Sequence, residues 1–291
     1  DLAANLQIMV DCEAAAAGNG RIVGLDAVRD AFYRGDIART IVDYHEANGG
    51  FLTMEDMAGF RVEIETALAR KVGSSTIYSC GAWCQGPSLL QILAMLEGVD
   101  LRALGHNSTA YVHTITEVIK LCFADRHHYF GDPHFEHVPL DELLSAAYCA
   151  ERRALISSTE AFPKMPAPGN IGAGVRAEAQ DAFLRPPALP TLDTSYVGII
   201  DGKGNMFSCS PSDFSTDTPV IPGTGLCPSS RGSQSWVDPS HPSSVAPGKR
   251  PRLTPAPFLF RTDNGGIGAF GTPGGDVQLQ ALVQVWLNIE L

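Results

Sequence analysis

Between residues 157 and 192 the sequence gives up regular structure, and at Thr194 it resumes as a strand. Ala161-Phe162-Pro163-Lys164-Met165-Pro166-Ala167-Pro168-Gly169-Asn170 and Arg185-Pro186-Pro187-Ala188-Leu189-Pro190 are too rich in proline for a helix or sheet interior, because proline lacks a backbone N–H and fixes φ. Such a stretch reads as an exposed, structureless and cleavable connector. Leu192-Asp193-Thr194-Ser195-Tyr196-Val197-Gly198-Ile199-Ile200-Asp201 then passes from turn-like residues into a β-rich run. The connector sorts the chain into a front part, 1–193, and a back part, 194–291, expected to form one intertwined domain.

The front part reads mainly as helix. Ala27, Val28, Ala31, Phe32, Ile37, Ile41 and Val42 keep helical spacing between Gly24 and Gly50. Thr53-Met54-Glu55-Asp56 predicts an N-cap with acids in the first turn. Arg61–Ala67 and Lys71–Cys80 alternate or are β-branched and predict two strands. Pro87–Leu96 is an apolar helix. Asn107-Ser108 caps a long helix through Phe130, with Val112, Ile115, Val118, Ile119, Cys122 and Phe123 on one face, and Gly131-Asp132-Pro133 stops it. Leu140–Ile156 reads as a further helix. In the back part, strands at Tyr196–Asp201 and Asn205–Ser210 flank a Gly202-Lys203-Gly204 turn, and Phe258–Arg261 and Gly266–Phe270 flank Asp263-Asn264-Gly265. A last helix starts near Asp276. These elements specify the α+β class, with no evident βαβ unit.

The 291 residues are 44% hydrophobic and 18% charged, which is enough apolar material for a sizeable core. The net charge of −11 disfavours nucleic acid and anionic membranes as partners. No apolar run reaches the roughly 18 residues of a membrane span. Seven cysteines, at 12, 80, 84, 122, 149, 209 and 227, are odd in number and irregular in spacing, so reduced and mostly buried thiols are expected. Cys80 and Cys84 lack a second close pair to complete a zinc site. His127-His128 and His134-x-x-His137 lack a carboxylate framework and read as surface residues, so neither a metal nor any other cofactor is expected. The start, Asp1-Leu2-Ala3-Ala4, is neither a translation start nor a signal peptide, and the end, through Trp286 to Leu291, stops inside an apolar helical pattern. Both ends are therefore expected to be cut from a longer chain. The compartment, cytoplasmic or periplasmic, is not legible.

Thr194 draws attention by its position. A Thr at a strand start is ordinarily structural, but a cut between Asp193 and Thr194 would leave an ordered residue with a free α-amine. Such an amine titrates near pH 8 and can deprotonate its own hydroxyl without a separate histidine. Asp193 would position the peptide for an N→O acyl shift. Downstream, Phe270-Gly271-Thr272-Pro273-Gly274-Gly275-Asp276 places a Gly-Gly pair between a strand and a helix. Gly-Gly is most often a plain turn. At a helix N-terminus it also offers unpaired N–H groups and close backbone approach to an acyl carbon. A nucleophile and a set of N–H donors are two parts of an acyl-transfer site. The run Pro247-Gly248-Lys249-Arg250-Pro251-Arg252-Leu253-Thr254-Pro255 reads either as a solvated basic loop or as a loop over an acidic or amide substrate.

Taken in order, these residues resemble the γ-glutamyltranspeptidase family of N-terminal nucleophile hydrolases. The likeness rests on Ala31-Phe32-Tyr33-Arg34-Gly35, Gly50-Phe51-Leu52-Thr53-x-Glu55-Asp56, Gly105-His106-Asn107-Ser108 and Phe123-Ala124-Asp125-Arg126 in the front part. In the back part it rests on Asp193-Thr194-Ser195-Tyr196, Pro247-Gly248-Lys249-Arg250-Pro251 and Gly271-x-Pro273-Gly274-Gly275. The resemblance implies an αββα sandwich, incomplete here, made as a precursor that cuts itself before Thr194 into paired large and small subunits. It implies Thr194 as nucleophile with its freed amine as base, Ser212 as a hydroxyl bonded to it, and Gly274 and Gly275 as the oxyanion hole. It also marks departures in substrate recognition. Gln234 stands where members gripping a γ-glutamyl ammonium carry an acid, and Leu253-Thr254 stands where they carry a Ser-Ser pair for the α-carboxylate. The reading is a Thr-nucleophile amidohydrolase or acyltransferase acting on a small amide or γ-glutamyl substrate. Its rivals are an authentic γ-glutamyl transferase or glutathione hydrolase, an acylase similar to the cephalosporin acylases or oxamate amidohydrolase, and a non-catalytic homologue.

Overall fold

The computed structural model describes residues 1–172, 194–212 and 218–290. It divides into two compact units, one of residues 1–64 with 214–230 and the other of 65–213 with 231–291. The first unit holds α1 (Leu2–Ala16), α2 (Arg21–Tyr33), α3 (Asp36–Ala47) and α4 (Met54–Gly59). Its core is Ile37, Ala38, Ile41, Val42, Met57 and Ile221. The periodic run expected from Gly24 to Gly50 is thus two helices, broken at Arg34-Gly35. Thr53 caps α4 through a reciprocal box with Asp56, as its sequence indicates.

The second unit is built on a four-stranded antiparallel sheet in the order β1-β2-β5-β6: Leu68–Val72, Ser75–Ser79, Phe258–Thr262 and Ile267–Phe270. The strand expected at 61–67 does not form. Its alternating residues precede β1, and the segment read as one strand from Lys71 to Cys80 turns at Gly73, where φ is +54°. The pleat sends alternate side chains to opposite faces. Ile77, Phe258, Phe260 and Phe270 share a core with α5 (Gly86–Leu96), α7 (Thr109–Tyr129) and Trp286 of α10 (Val277–Glu290). Phe260 lies so close over Gly268 that a Cβ there would sit 2.2 Å from its ring. Ala269 and Ile267 face the other way and meet a separate hairpin of β3 (Val197–Ile200) and β4 (Met206–Cys209) at Gly198 and Gly204. The layers are therefore helix, sheet, hairpin.

The remaining helices are α6 (Leu101–Leu104), α8 (Leu140–Leu143) and α9 (Ala146–Arg153). Ser108 caps α7 as expected, but Val112 on its anticipated buried face is half exposed. The single helix expected over 140–156 breaks at Leu144, after which Ser145 caps α9. The Pro-rich segment needs correction over its first part. Residues 161–172 have no regular structure, yet they are pinned rather than loose. Asp125 accepts from the Gly169 N–H at 2.8 Å, Tyr129 donates to the Gly169 carbonyl at 2.6 Å, and the Phe162 N–H reaches Glu117 at 2.8 Å. A buried ion pair between Asp125 and Arg152, 3.1 Å, underlies this seam. The rest of the expected connector, 173–192, and Asp193 lie outside the described residues.

Candidate active site

Thr194 is the first residue of the second described stretch and lies three positions ahead of β3. It forms an isolated antiparallel bridge with Ser212, and the Ser195 N–H donates to the Pro211 carbonyl at 2.9 Å. The bridge sets the two hydroxyls face to face, Thr194 Oγ1 to Ser212 Oγ 2.8 Å. The Arg231 guanidinium donates to the same Ser212 oxygen. Thr194 is half-buried, so its hydroxyl is neither sealed in the core nor free in water. Two residues on, the Tyr196 ring lies flat against Gly271, where any Cβ would be 2.3 Å from it, and its hydroxyl bonds to Ser208 at 3.0 Å. Gly271 opens the loop that carries Gly274 and Gly275, so this contact ties the strand start to the glycine loop.

That loop is held by its carbonyls. The Gly274 carbonyl accepts from Val277 N–H at 2.9 Å, and the Gly275 carbonyl accepts from Gln278 N–H at 3.3 Å and from Gln85 Nε2 at 2.9 Å. Their φ angles, +119° and +55°, lie in the region that favours glycine. Among the described residues neither Gly274 N–H nor Gly275 N–H donates a hydrogen bond. The donors sit at the start of α10, where the helix dipole adds positive potential. Asp276 lies just outside α10 rather than in its first turn and pairs with Arg126 at 2.9 Å. Burial would raise the Asp276 carboxyl, and Arg126 more than offsets it, so the group stays below the usual carboxylate range. Gln85, fully buried, joins three groups: its Nε2 also donates to the Thr254 carbonyl, and its Oε1 accepts from Arg126. Sequence reasoning did not single out Gln85 or Arg231, since neither stands in a local pattern. Arg126 was visible only as part of Phe123-Ala124-Asp125-Arg126.

The other anticipated residues fall as follows. Thr254 is brought to Gly275 through Gln85, and the neighbouring Leu253 N–H donates to the Trp83 carbonyl at 2.8 Å. Gln234 ends a short turn with its Oε1 buried and unbonded. Two cations of the basic loop are paired within the fold rather than free in water. Lys249 is buried against Glu136 at 2.9 Å, and Arg250 bridges Asp132 at 3.0 Å and Glu65 at 3.2 Å. His127 and His128 are buried, not surface residues. His127 packs on Trp236 and His241 with ring centroids 4.7 Å away, because the last turn of α7 points inward under that loop. Burial pushes both His127 and His241 down to about 3, with Arg252 among the further causes in each. All seven thiols are free, but only Cys84, Cys122 and Cys149 are buried and Cys227 is exposed, so the expected burial holds for the helix-packed ones alone.

The family model described as gamma-glutamyltranspeptidase matches residues 19–290. The chain belongs to the γ-glutamyltranspeptidase family. It is 31% identical over 263 residues to an acylase ACY 1 proenzyme of Pseudomonas sp. (strain SE83), a match covering 89% of this chain and 44% of that one. A solved LmbA2991 structure superposes with a TM-score of 0.88 at 33% identity, covering 100% of this chain and 51% of that one. The crystal structure of cephalosporin acylase from Bacillus halodurans gives a TM-score of 0.74 at 28% identity, covering 94% and 46%. Other members of the family that match are named glutathione hydrolase and oxamate amidohydrolase proenzymes. The chain spans about half the length of the relatives it matches.

Proposed function

We propose that the parent of this chain is an autoprocessed amidohydrolase whose nucleophile is Thr194, on a sandwich of the αββα type. The carrying observation is the 2.8 Å contact between Thr194 Oγ1 and Ser212 Oγ at the start of β3, where a polypeptide cut would leave the hydroxyl fixed in place. In processing, Thr194 Oγ1 attacks the Asp193 carbonyl carbon and the C–N bond breaks as the leaving nitrogen takes up the proton that Oγ1 lost, which frees the Thr194 amine; water then hydrolyses the resulting ester, releasing the Asp193 carboxylate and the Thr194 hydroxyl. In turnover that amine takes the Oγ1 proton as the oxygen attacks a substrate amide. The tetrahedral oxyanion faces the unbonded N–H groups of Gly274 and Gly275. Collapse expels the amine product with the proton from the Thr194 ammonium, and water or an acceptor amine then takes the acyl group.

The acylase relatives and the departures at Gln234 and Leu253 support an acyl group other than γ-glutamyl. An apolar Leu253 cannot donate to a carboxylate, and Gln234 supplies no charge to an ammonium. The test is a denaturing gel with N-terminal sequencing of the purified full-length parent. Wild type is expected to yield two chains, the second starting at Thr194, with Thr194→Ser cut more slowly and Thr194→Ala uncut. A wild type that remains one chain, or a Thr194→Ala protein still split there, refutes the proposal.

A further inference from the structure

Arg231 reaches the Thr194–Ser212 pair from outside the strands that carry it. The pair extends the β3–β4 register beyond Val197↔Cys209. Arg231 opens a short turn, Arg231–Gln234, and the chain just after it is held by Trp236 N–H on the Ser243 carbonyl at 2.8 Å and by Val245 N–H on the Trp236 carbonyl at 2.9 Å. From that turn its Nη2 donates to Ser212 Oγ. All three residues are half-buried, so water screens the charge only in part. A guanidinium only donates, whereas a serine hydroxyl has one proton and two acceptor lone pairs. The 2.8 Å contact between Ser212 Oγ and Thr194 Oγ1 can be made with either hydroxyl as donor, and the cation decides between them. Beside a positive charge the Ser212 oxygen is a weaker acceptor for a second donor, and its polarised O–H is a stronger donor. The favoured direction therefore runs from Arg231 Nη2 to Ser212 Oγ to Thr194 Oγ1. Thr194 keeps its own proton outside this chain, available to a base, while its oxygen accepts from Ser212.

Resting on the acyl-transfer reading above, we propose that Arg231 is a positioning residue for the nucleophile: it fixes the Ser212 hydroxyl as donor to Thr194 Oγ1 and so stabilises the negative charge on that oxygen when it attacks and again when it leaves. Donors already aimed at an oxygen where charge develops need no rearrangement at the moment of reaction. In turnover the Oγ1 proton goes to the Thr194 amine on attack and returns to Oγ1 on departure, and Ser212 keeps its own proton throughout. Arg231 acts through Ser212 alone in this role and touches no reacting atom.

The test times self-cutting of the full-length precursor, which needs no added substrate, by denaturing gel. The variants are Arg231→Met, which removes donor and charge at similar length, Ser212→Ala, the two combined, and Arg231→Lys. Arg231→Met is expected to slow cutting about ten- to hundredfold, the range for one charge-assisted hydrogen bond, and Ser212→Ala to slow it at least as much. Adding Arg231→Met to Ser212→Ala should slow it further by no more than about twofold, because the two act in series. Arg231→Lys should recover part of the rate. Independently of any cutting, a neutron density map of the deuterated protein should place the Ser212 deuteron on the line to Thr194 Oγ1. A wild type that is never cut, with the deuteron so placed, defeats the acyl-transfer reading and leaves the hydrogen-bond direction standing. Normal cutting by Arg231→Met, multiplied losses in the double variant, or a Thr194 deuteron pointing at Ser212 overturns the proposal. Melting curves check that each variant is folded. If Arg231→Met does not fold, Arg231→Gln takes its place, and a Gln variant cut as fast as the Lys variant overturns the role of the charge.

Discussion

Replacing Gln85 by leucine tests whether the glycine loop is held from beneath. The change keeps the volume of a fully buried side chain and removes its polar atoms. Three bonds go: Nε2 to the Gly275 carbonyl at 2.9 Å, Nε2 to the Thr254 carbonyl, and Arg126 to Oε1. The last is charge-assisted, a class of bond contributing about 1.5–3 kcal/mol, while the neutral two contribute about 0.5–1.5 kcal/mol each. Two partners are not left bare, since Gly275 still accepts from Gln278 and Arg126 still holds Asp276. The Thr254 carbonyl loses the bond outright. The expected loss is therefore about 2–4 kcal/mol, below the plain sum. Urea unfolding of the full-length Thr194→Ala precursor, with and without Gln85→Leu, reads it free of processing. In the processed enzyme the loosened Gly275 should lower kcat by about ten- to hundredfold, with KM less affected. A stability loss below about 1 kcal/mol together with normal kcat would refute the supporting role of Gln85.

Acid should weaken the protein earlier than carboxylate titration alone would. His127 and His241 sit near 3 when folded and about 6.5 when unfolded, so the unfolded chain binds more protons between those values and stability falls as pH drops from about 6.5. Urea midpoints at pH 7, 6 and 5 should decline, and His241→Phe should flatten the decline; no change over that range contradicts the buried neutral pair. Gly271→Ala drives a Cβ to within 2.3 Å of the Tyr196 ring, so it should cost about 1–3 kcal/mol in thermal unfolding and slow processing at Thr194, and an unaltered protein would discount that contact. γ-Glutamyl-p-nitroanilide should be a poor substrate by roughly 10²–10⁴ in kcat/KM, with part of the loss recovered by Gln234→Asp, and an ordinary transpeptidase rate in wild type would reverse that assignment.

The short-range features were legible where one residue decides the structure: the Thr53 and Ser108 caps, the Gly202–Gly204 hairpin turn and the apolar α5. Periodicity failed where a break depends on packing, as at Arg34-Gly35 and Leu144-Ser145, and at 61–67, where alternation found no partner strand. The Thr194 and Ser212 pair was reached through resemblance, and the structure puts their oxygens in contact. Lys249 and Arg250 looked free because their acids, Glu136, Asp132 and Glu65, are over a hundred residues away in sequence. Gln85 was illegible for the same reason: a glutamine acquires meaning only from what surrounds it.

The order β1-β2-β5-β6 interleaves the two sides of Thr194. β2 precedes that residue and β5 follows it, yet they are neighbours along five paired positions from Ser75↔Thr262 to Ser79↔Phe258. A backbone cut before Thr194 would thus leave a seam running through the middle of a sheet. The two pieces would share one core and could part only by unzipping it, so the nicked protein should persist as a single body through dilution. Once separated by denaturant, they would face a search of second order in concentration, where the uncut chain folds in one molecule. The strand order makes assembly a property of the precursor and makes the cut effectively one-way.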